Sequence, residues 1–379
     1  MRRSLIRTIR DLYDTTRREA VRFLVSPGLA FGHIRFRLGL LRRDWKDLHA
    51  KLRPLAAAAR RSKDHRVLTE LGQAALRLDE PQLGAQLVQE SRVIAGRVEP
   101  TDWRGEDIHD ATLIVRVAEL ANQGIGGGMR QVGQIATAAA RAARTVLIVE
   151  SRMVPLFART LPDAVVVPFG TDVSPFKSGK FVTASITDIE AALNFSAAEL
   201  LKGFRPLVPD RQRADLLREK YRRGRGVHLV GISWWSSHYG KDLPTPRQWM
   251  SLLREVPAQF VSLQYGDVGD DLALFNANDA HAVIADPEID QMRDMDSFAS
   301  QIAALDLVVT ISNSAAHLTG SLGQKMILVR DDLFRRNWSY LSRSVPWYPN
   351  TTVIGKDGRN WSEAFGEIVA AARNSLREG

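Results

Sequence analysis

Beyond residue 111, short continuous apolar runs alternate with helical stretches, and this alternation limits the fold more than any other feature of the chain. Thr112–Val115, Thr145–Val149 and Val165–Val167 form a first series. Val227–Ile232, Gln259–Leu263, His281–Ile284, Leu307–Ile311 and Lys325–Val329 form a second. Runs this short and this rich in Val, Ile and Leu read as strands buried on both faces. The Ala-rich stretch Val132–Ala143 predicts a helix between the first two runs, and strand, helix, strand with short joins predicts parallel winding. Asp210–Arg223 is polar, highly charged and helical, as a connector between the two series would be. The expectation is an α/β protein with two doubly wound units, residues 101–218 and 219–379, facing a cleft. Ligands of such sheets bind beyond the carboxyl ends of the strands.

Residues 1–100 lack strand-like alternation and read as an all-α region. Leu38-Gly39 and Leu71-Gly72 stand 33 residues apart, each in an apolar helix-like segment followed by a charged turn. That period suits degenerate helix-turn-helix repeats of tetratricopeptide type, which are binding surfaces. An irregular helical bundle suits the same residues. Residues 1–63 hold 17 Lys and Arg against 5 Asp and Glu, an excess of +12 that surpasses the +9 of the whole chain and leaves the remainder acidic. Charge confined to one end argues against a nucleic-acid enzyme, which carries it along a groove. Between residues 5 and 24, Leu5, Ile9, Leu12, Tyr13, Val21, Phe23 and Leu24 recur near helical spacing among five arginines. Such a helix packs on its own protein, lies on an anionic membrane surface or meets a partner helix. The absence of cysteine excludes a disulfide scaffold, a thiolate zinc site and a cysteine nucleophile, and fits a reducing cytosol. No apolar run reaches membrane-spanning length, and no secretory signal is expected. The cellular expectation is a cytoplasmic protein, either free or peripheral on the inner face of the membrane.

Four segments could carry chemistry. In Asp306–Gly323 a buried strand runs into Ser312, Asn313 and Ser314, and a small-residue helix starts near Ala315. Such a turn offers free backbone N–H groups and a positive dipole end, a ready phosphate site, with His317 in the first turn to assist. An ordinary capped helix with a structural histidine explains the same pattern. Gly231–Pro244 supplies Ser233, Trp234, Ser236, Ser237 and Lys241, whose ammonium could reach a diphosphate. Ser262–Gly266 places Gln264 and Tyr265 at a strand end. Asn122–Arg130 is Gly-rich, with Asn122, Gln123, Gly124, Gly126, Gly127 and Arg130, but it is neither a dinucleotide fingerprint nor a P-loop. The histidines are scattered without metal-ligand spacing, so no metal is expected, and GxSxG is absent.

Taken together, these segments resemble the heptosyltransferase-like glycosyltransferases of family 9, of the kind joined to tetratricopeptide-like repeats, and more distantly the O-linked N-acetylglucosamine transferases. The resemblance runs from about Trp103 to Trp361. Trp103-Arg-Gly-Glu-Asp107 is similar to the family's entry motif and Gln123-Gly-Ile-Gly126 to its first Gly loop. Leu305–Gly323 is similar to its phosphate strand and helix. Gly231–Trp234, Lys241 with Leu243-Pro244, Ser262–Gln264 and Trp347-Tyr-Pro349 are similar to further motifs of that domain. The resemblance implies a GT-B fold of two Rossmann-like domains, with the final helix, Trp361–Arg377, crossing back to the first. It implies metal-independent transfer of a hexosyl or heptosyl group from a nucleotide-diphosphate sugar to a protein or glycan acceptor, without a cofactor. The sugar donor would meet Ser233, Trp234, Ser236, Gln264, Tyr265 and Ser312–Ala315, and the acceptor would enter at Asn122–Arg130. The N-terminal helices would recruit the acceptor. This sequence departs from the family where an Asp usually follows the first Gly loop: Gly127 stands there. Ser312-Asn313 replaces Asp-Thr, and Trp235 replaces Arg. Catalysis would then rest on Lys241 and His317, with Glu119, Asp102 or His238 replacing the base. The alternative is a catalytically inactive GT-B scaffold in surface-polysaccharide or protein-glycosylation assembly.

Overall fold

The computed structural model describes residues 26–42, 44–99, 102–117, 126–236, 242–277, 282–331 and 338–378. The amphipathic stretch between residues 5 and 24 lies outside them.

Among the described residues the all-α region holds four helices: α1 (Pro27–Arg42), α2 (Trp45–Arg61), α3 (His65–Arg77) and α4 (Pro81–Ile94). Asp44 and Asp64 cap α2 and α3, accepting the N–H groups of Asp47 and Val67, and Pro81 opens α4 where its missing N–H costs nothing. Leu48, Leu52, Leu55, Ala56 and Ala59 line one face of α2 and are buried against their neighbours. Both glycines of the 33-residue spacing lie where helices meet. A Cβ on Gly39 would stand 2.9 Å from Leu48, and one on Gly72 would stand 2.9 Å from the Gly84 carbonyl. Part of the basic excess is neutralised within this layer, because Arg37, Arg53 and Arg60 pair with Glu70, Glu80 and Glu90.

A four-stranded sheet follows: β1 (Ile108–Arg116), β2 (Ala142–Val149), β3 (Val165–Pro168) and β4 (Phe181–Ser185), in the order β3-β2-β1-β4 and parallel throughout. Its helices are α5 (Gly126–Met129), α6 (Val132–Ala139), α7 (Val154–Thr160), α8 (Ile186–Leu193) and α9 (Ala197–Lys202). The predicted helix Val132–Ala143 stops at Ala139, because Ala142 pairs with Ile108 in the β ladder.

α10 (Arg211–Arg222) leads to the second sheet, β5 (Leu229–Ser233), β6 (Gln259–Ser262), β7 (Leu307–Ile311), β8 (Met326–Arg330) and β9 (Thr351–Gly355), in the parallel order β6-β5-β7-β8-β9. Among its helices are α11 (Pro246–Glu255), α12 (Gly269–Phe275), α13 (Met295–Ala303), α14 (Ser314–Ser321) and α15 (Trp361–Arg377). The run predicted as a strand at His281–Ile284 is described from Ala282 onward, and there it is reduced to a single bridge, Ile284 to Val261, with Asp286-Pro287 following at once. α15 also departs from expectation. Its buried residues, from Trp361 to Leu376, all belong to the core of the second sheet, and Lys325 donates to the Ser375 carbonyl. Among the described residues the helix therefore packs beside α11 on the second sheet and not on the first.

One apolar core runs through both sheets. It joins Leu113, Val115 and Leu147 to Leu229, Val261, Val308 and the α13 residues Met295, Phe298 and Ile302. At its rim Arg159 of α7 makes a bidentate pair with Asp296 of α13, at 2.8 and 3.0 Å.

Candidate functional site

β5 and β7 are neighbours, although the chain visits β6 between them, and the direction of winding reverses at this point. A crevice at such a reversal, outside the strand ends, is where open α/β sheets take ligands. Three of the sequence segments converge there. The Asn313 side chain caps α14, accepting from the Ala316 N–H at 3.2 Å, while its amide donates to Ser233 Oγ at 2.7 Å. Ser233 Oγ in turn donates to Gln264 Oε1 at 3.0 Å. The N–H groups of Trp234 and Trp235 donate to the same Oε1, each at 2.9 Å. The Gln264 amide donates to the carbonyls of Trp235 and Tyr265 at 3.1 Å. Ser233, Gln264 and Asn313 thus fix the ends of three strands relative to one another through buried bonds. Their side chains shape the crevice and face each other.

The surfaces left for a ligand are different ones. Trp234 is buried, its indole donating to Asp271 and its ring edge-on to Phe275. Trp235 is 41% exposed and lies 5.8 Å from the Tyr265 ring, giving an accessible aromatic pair of the kind that stacks on a flat ring. Ser236, Ser312 and Ser314 are half-buried nearby in the chain, and Ala315 is buried under the first turn of α14.

His317 sits in that turn and is tightly set. Its Nδ1 lies 3.0 Å from the Tyr348 hydroxyl, and its ring stacks on Trp338 at 4.7 Å and 22°. Ser321 Oγ lies within hydrogen-bond reach of the same hydroxyl at 3.4 Å, so the phenol links the imidazole to Ser321. Burial pushes the Tyr348 phenol well above its ordinary range, so it stays protonated. Across from His317 stands Gly126 of the first domain. A Cβ there would lie 2.4 Å from His317 Cδ2 and 2.9 Å from Nε2, so the contact admits only glycine. The structure thereby brings the Gly-rich segment and the Ser312–Ala315 turn together. Gly127 follows in the same turn of helix.

Arg130 is placed elsewhere than the sequence suggests. It pairs with Glu190 at 2.5 Å, lies over the Trp347 ring at 5.0 Å and is 9% exposed, so it joins the two domains rather than facing the crevice. Asp102 accepts the Glu99 N–H and the Thr183 hydroxyl, and these contacts tie it to the wall of the first sheet. Glu119, Asn122, Gln123, Gly124, Ser237, His238 and Lys241 lie outside the described residues. Among the described residues no three His, Asp or Glu side chains are grouped to hold a metal ion. Trp338 is the residue that the sequence did not single out. It stands amid polar neighbours, and nothing in its local pattern marks a ring that will cover Ser312 and His317.

No family model matches the sequence. Among solved structures, the glycosyltransferase of family 9 from Veillonella parvula DSM 2008 superposes with a TM-score of 0.50 at 9% identity, covering 72% of this chain and 99% of that one. The fold is GT-B. The ADP-heptose lipopolysaccharide heptosyltransferase II of E. coli superposes with a TM-score of 0.48 at 12% identity, over 71% of this chain and 99% of that one. Protein FlbA of Caulobacter vibrioides is 26% identical over 293 residues, which are 72% of this chain and 48% of that protein. The chain thus spans about half the length of the curated relative it matches.

Proposed function

We propose that the chain is a glycosyltransferase that moves a sugar from a nucleotide-diphosphate donor to a protein or glycan acceptor without a metal ion. The observation that carries this reading is the meeting of Gly126 with His317 at the N-terminal turn of α14, on the winding reversal of the second sheet. In this reading the diphosphate lies on the Ser312–Ala315 turn, and the His317 Nε2–H donates to it. The base stacks at Trp235 and Tyr265. An acceptor hydroxyl attacks the anomeric carbon from the Asn122–Gly127 side, and its proton passes to Glu119. The C–O bond to the diphosphate breaks, and Lys241 neutralises the charge that develops on the leaving group. The N-terminal helices recruit the acceptor, and the basic N-terminus holds the protein at the anionic inner face of the membrane from the cytoplasm. No helix among the described residues is long and apolar enough to cross a membrane.

Two measurements test the reading. Thermal-shift titration against UDP, ADP, GDP, CDP and CMP should single out one nucleotide, because a ligand at 100 times its Kd adds about 2.7 kcal/mol of stability. Lys241→Ala should abolish transfer, and an unchanged rate in that variant would remove Lys241 from the mechanism. A second reading, an inactive scaffold, draws support from Gly127 and from the inward-facing bonds of Ser233, Gln264 and Asn313. Nucleotide binding with neither transfer nor hydrolysis would favour it.

A further inference from the structure

The helical layer reaches the phosphate turn through one short loop. Trp338 is fully buried; its indole donates to Ser312 Oγ at 2.6 Å and its ring lies on His317. The residues that follow are held from the opposite side. Ser339 Oγ donates to Asp79 Oδ2 at 2.8 Å and accepts the N–H groups of Leu341 and Ser342 at 3.1 and 2.8 Å. Its carbonyl accepts from Arg330 at 2.5 Å. The Tyr340 N–H donates to the Arg77 carbonyl at 3.0 Å, and its ring meets Trp45 of α2 at 4.8 Å.

Asp79 occupies the turn between α3 and α4 with φ of +60°, a conformation that L residues adopt reluctantly. It caps neither helix. Among the described residues its Oδ1 is buried without a hydrogen-bond partner, and burial raises its carboxyl above the ordinary range despite the bonds from Ser339 and Ser342. A half-buried carboxylate with a buried, unbonded oxygen on a strained backbone is costly, and its bond goes to the neighbouring domain.

We propose that Asp79 is a positioning residue for the phosphate turn: by holding Ser339 it sets Trp338 against His317 and Ser312, so the helical layer governs how that turn is presented. The inference rests on the nucleotide reading of the turn. Nuclear magnetic resonance separates the two. The His317 ring protons, assigned by their loss in His317→Gln, lie under the Trp338 ring and should be shifted upfield in the wild type. Asp79→Ala should move them toward their free position, while Asp79→Asn, which keeps an acceptor for Ser339, should leave them in place. The Kd for the stabilising nucleotide should rise about tenfold in Asp79→Ala and return to within about twofold of wild type in Asp79→Asn. If Asp79→Ala fails to fold, Ser339→Ala removes the same bond from the other side. Ring protons unmoved in the alanine variant would overturn the proposal. A wild type that binds none of the five nucleotides would instead overturn the nucleotide reading, and the ring protons would still decide the role of Asp79.

Discussion

At the scale of single residues, the environment of His317 is more specific than a capped helix requires. Stacking on one ring, a hydrogen bond with a second and a glycine at the third side hold the imidazole in one orientation. Tyr348→Phe removes the group that fixes Nδ1. It should lower transfer about tenfold while reducing stability by about 1 kcal/mol, to be read by kcat/KM beside thermal denaturation. A second residue-scale expectation concerns acid. Burial pushes the Glu70 carboxyl up, but hydrogen bonds with His33 at 3.0 Å and Arg37 at 3.1 Å outweigh it and hold it at about 2, against 4.5 for a free glutamate. A group depressed on folding contributes stability above its unfolded value and loses it as the pH falls through the folded one. The melting temperature should therefore drop between about pH 4.5 and pH 2, and Glu70→Gln should flatten that part of the profile.

At the scale of elements, α14 shows what a helix gives up to sit where it does. Gly320 lies within it, and alanine there normally stabilises a helix by about 0.5–1 kcal/mol. Here a Cβ would stand 2.5 Å from the Tyr348 ring. Gly320→Ala should instead cost about 1–3 kcal/mol, visible as a lower denaturation midpoint in urea, and a gain would show that the ring can yield. The same element was legible in the sequence. A continuous apolar run followed by Ser-Asn-Ser fixes both the strand and the cap. Other elements were hidden for physical reasons. β4 is an edge strand, mostly half-buried, so Phe181–Ser185 lacks an apolar run, and β9 opens with two threonines. The limits of α15 came with the family resemblance, but which sheet it packs on did not follow from the sequence, because both cores offer apolar surface. Within the site, Ser233, Gln264 and Asn313 were legible as polar groups at strand ends. Their mutual bonding was not, since it depends on a strand order that only the folded sheet supplies.

At the scale of the whole molecule, three layers share the work of holding the crevice. The first sheet contributes Gly126, the second the turn at Ser312–Ala315, and the helical layer the grip of Asp79 on Ser339. The common core beneath them has a thermodynamic consequence. Separating the two sheets would pull α13 away from α7 and open the apolar core that Met295, Phe298 and Ile302 share with Leu156 and Phe157. Neither half can then melt while the other stays intact. Scanning calorimetry should give one transition for both sheets, with the heat absorbed matching the value obtained from its steepness. Phe298→Ala should lower that single peak, at a cost of about 3–5 kcal/mol, without splitting it. Two resolved peaks in the wild type would show that the halves part before they unfold.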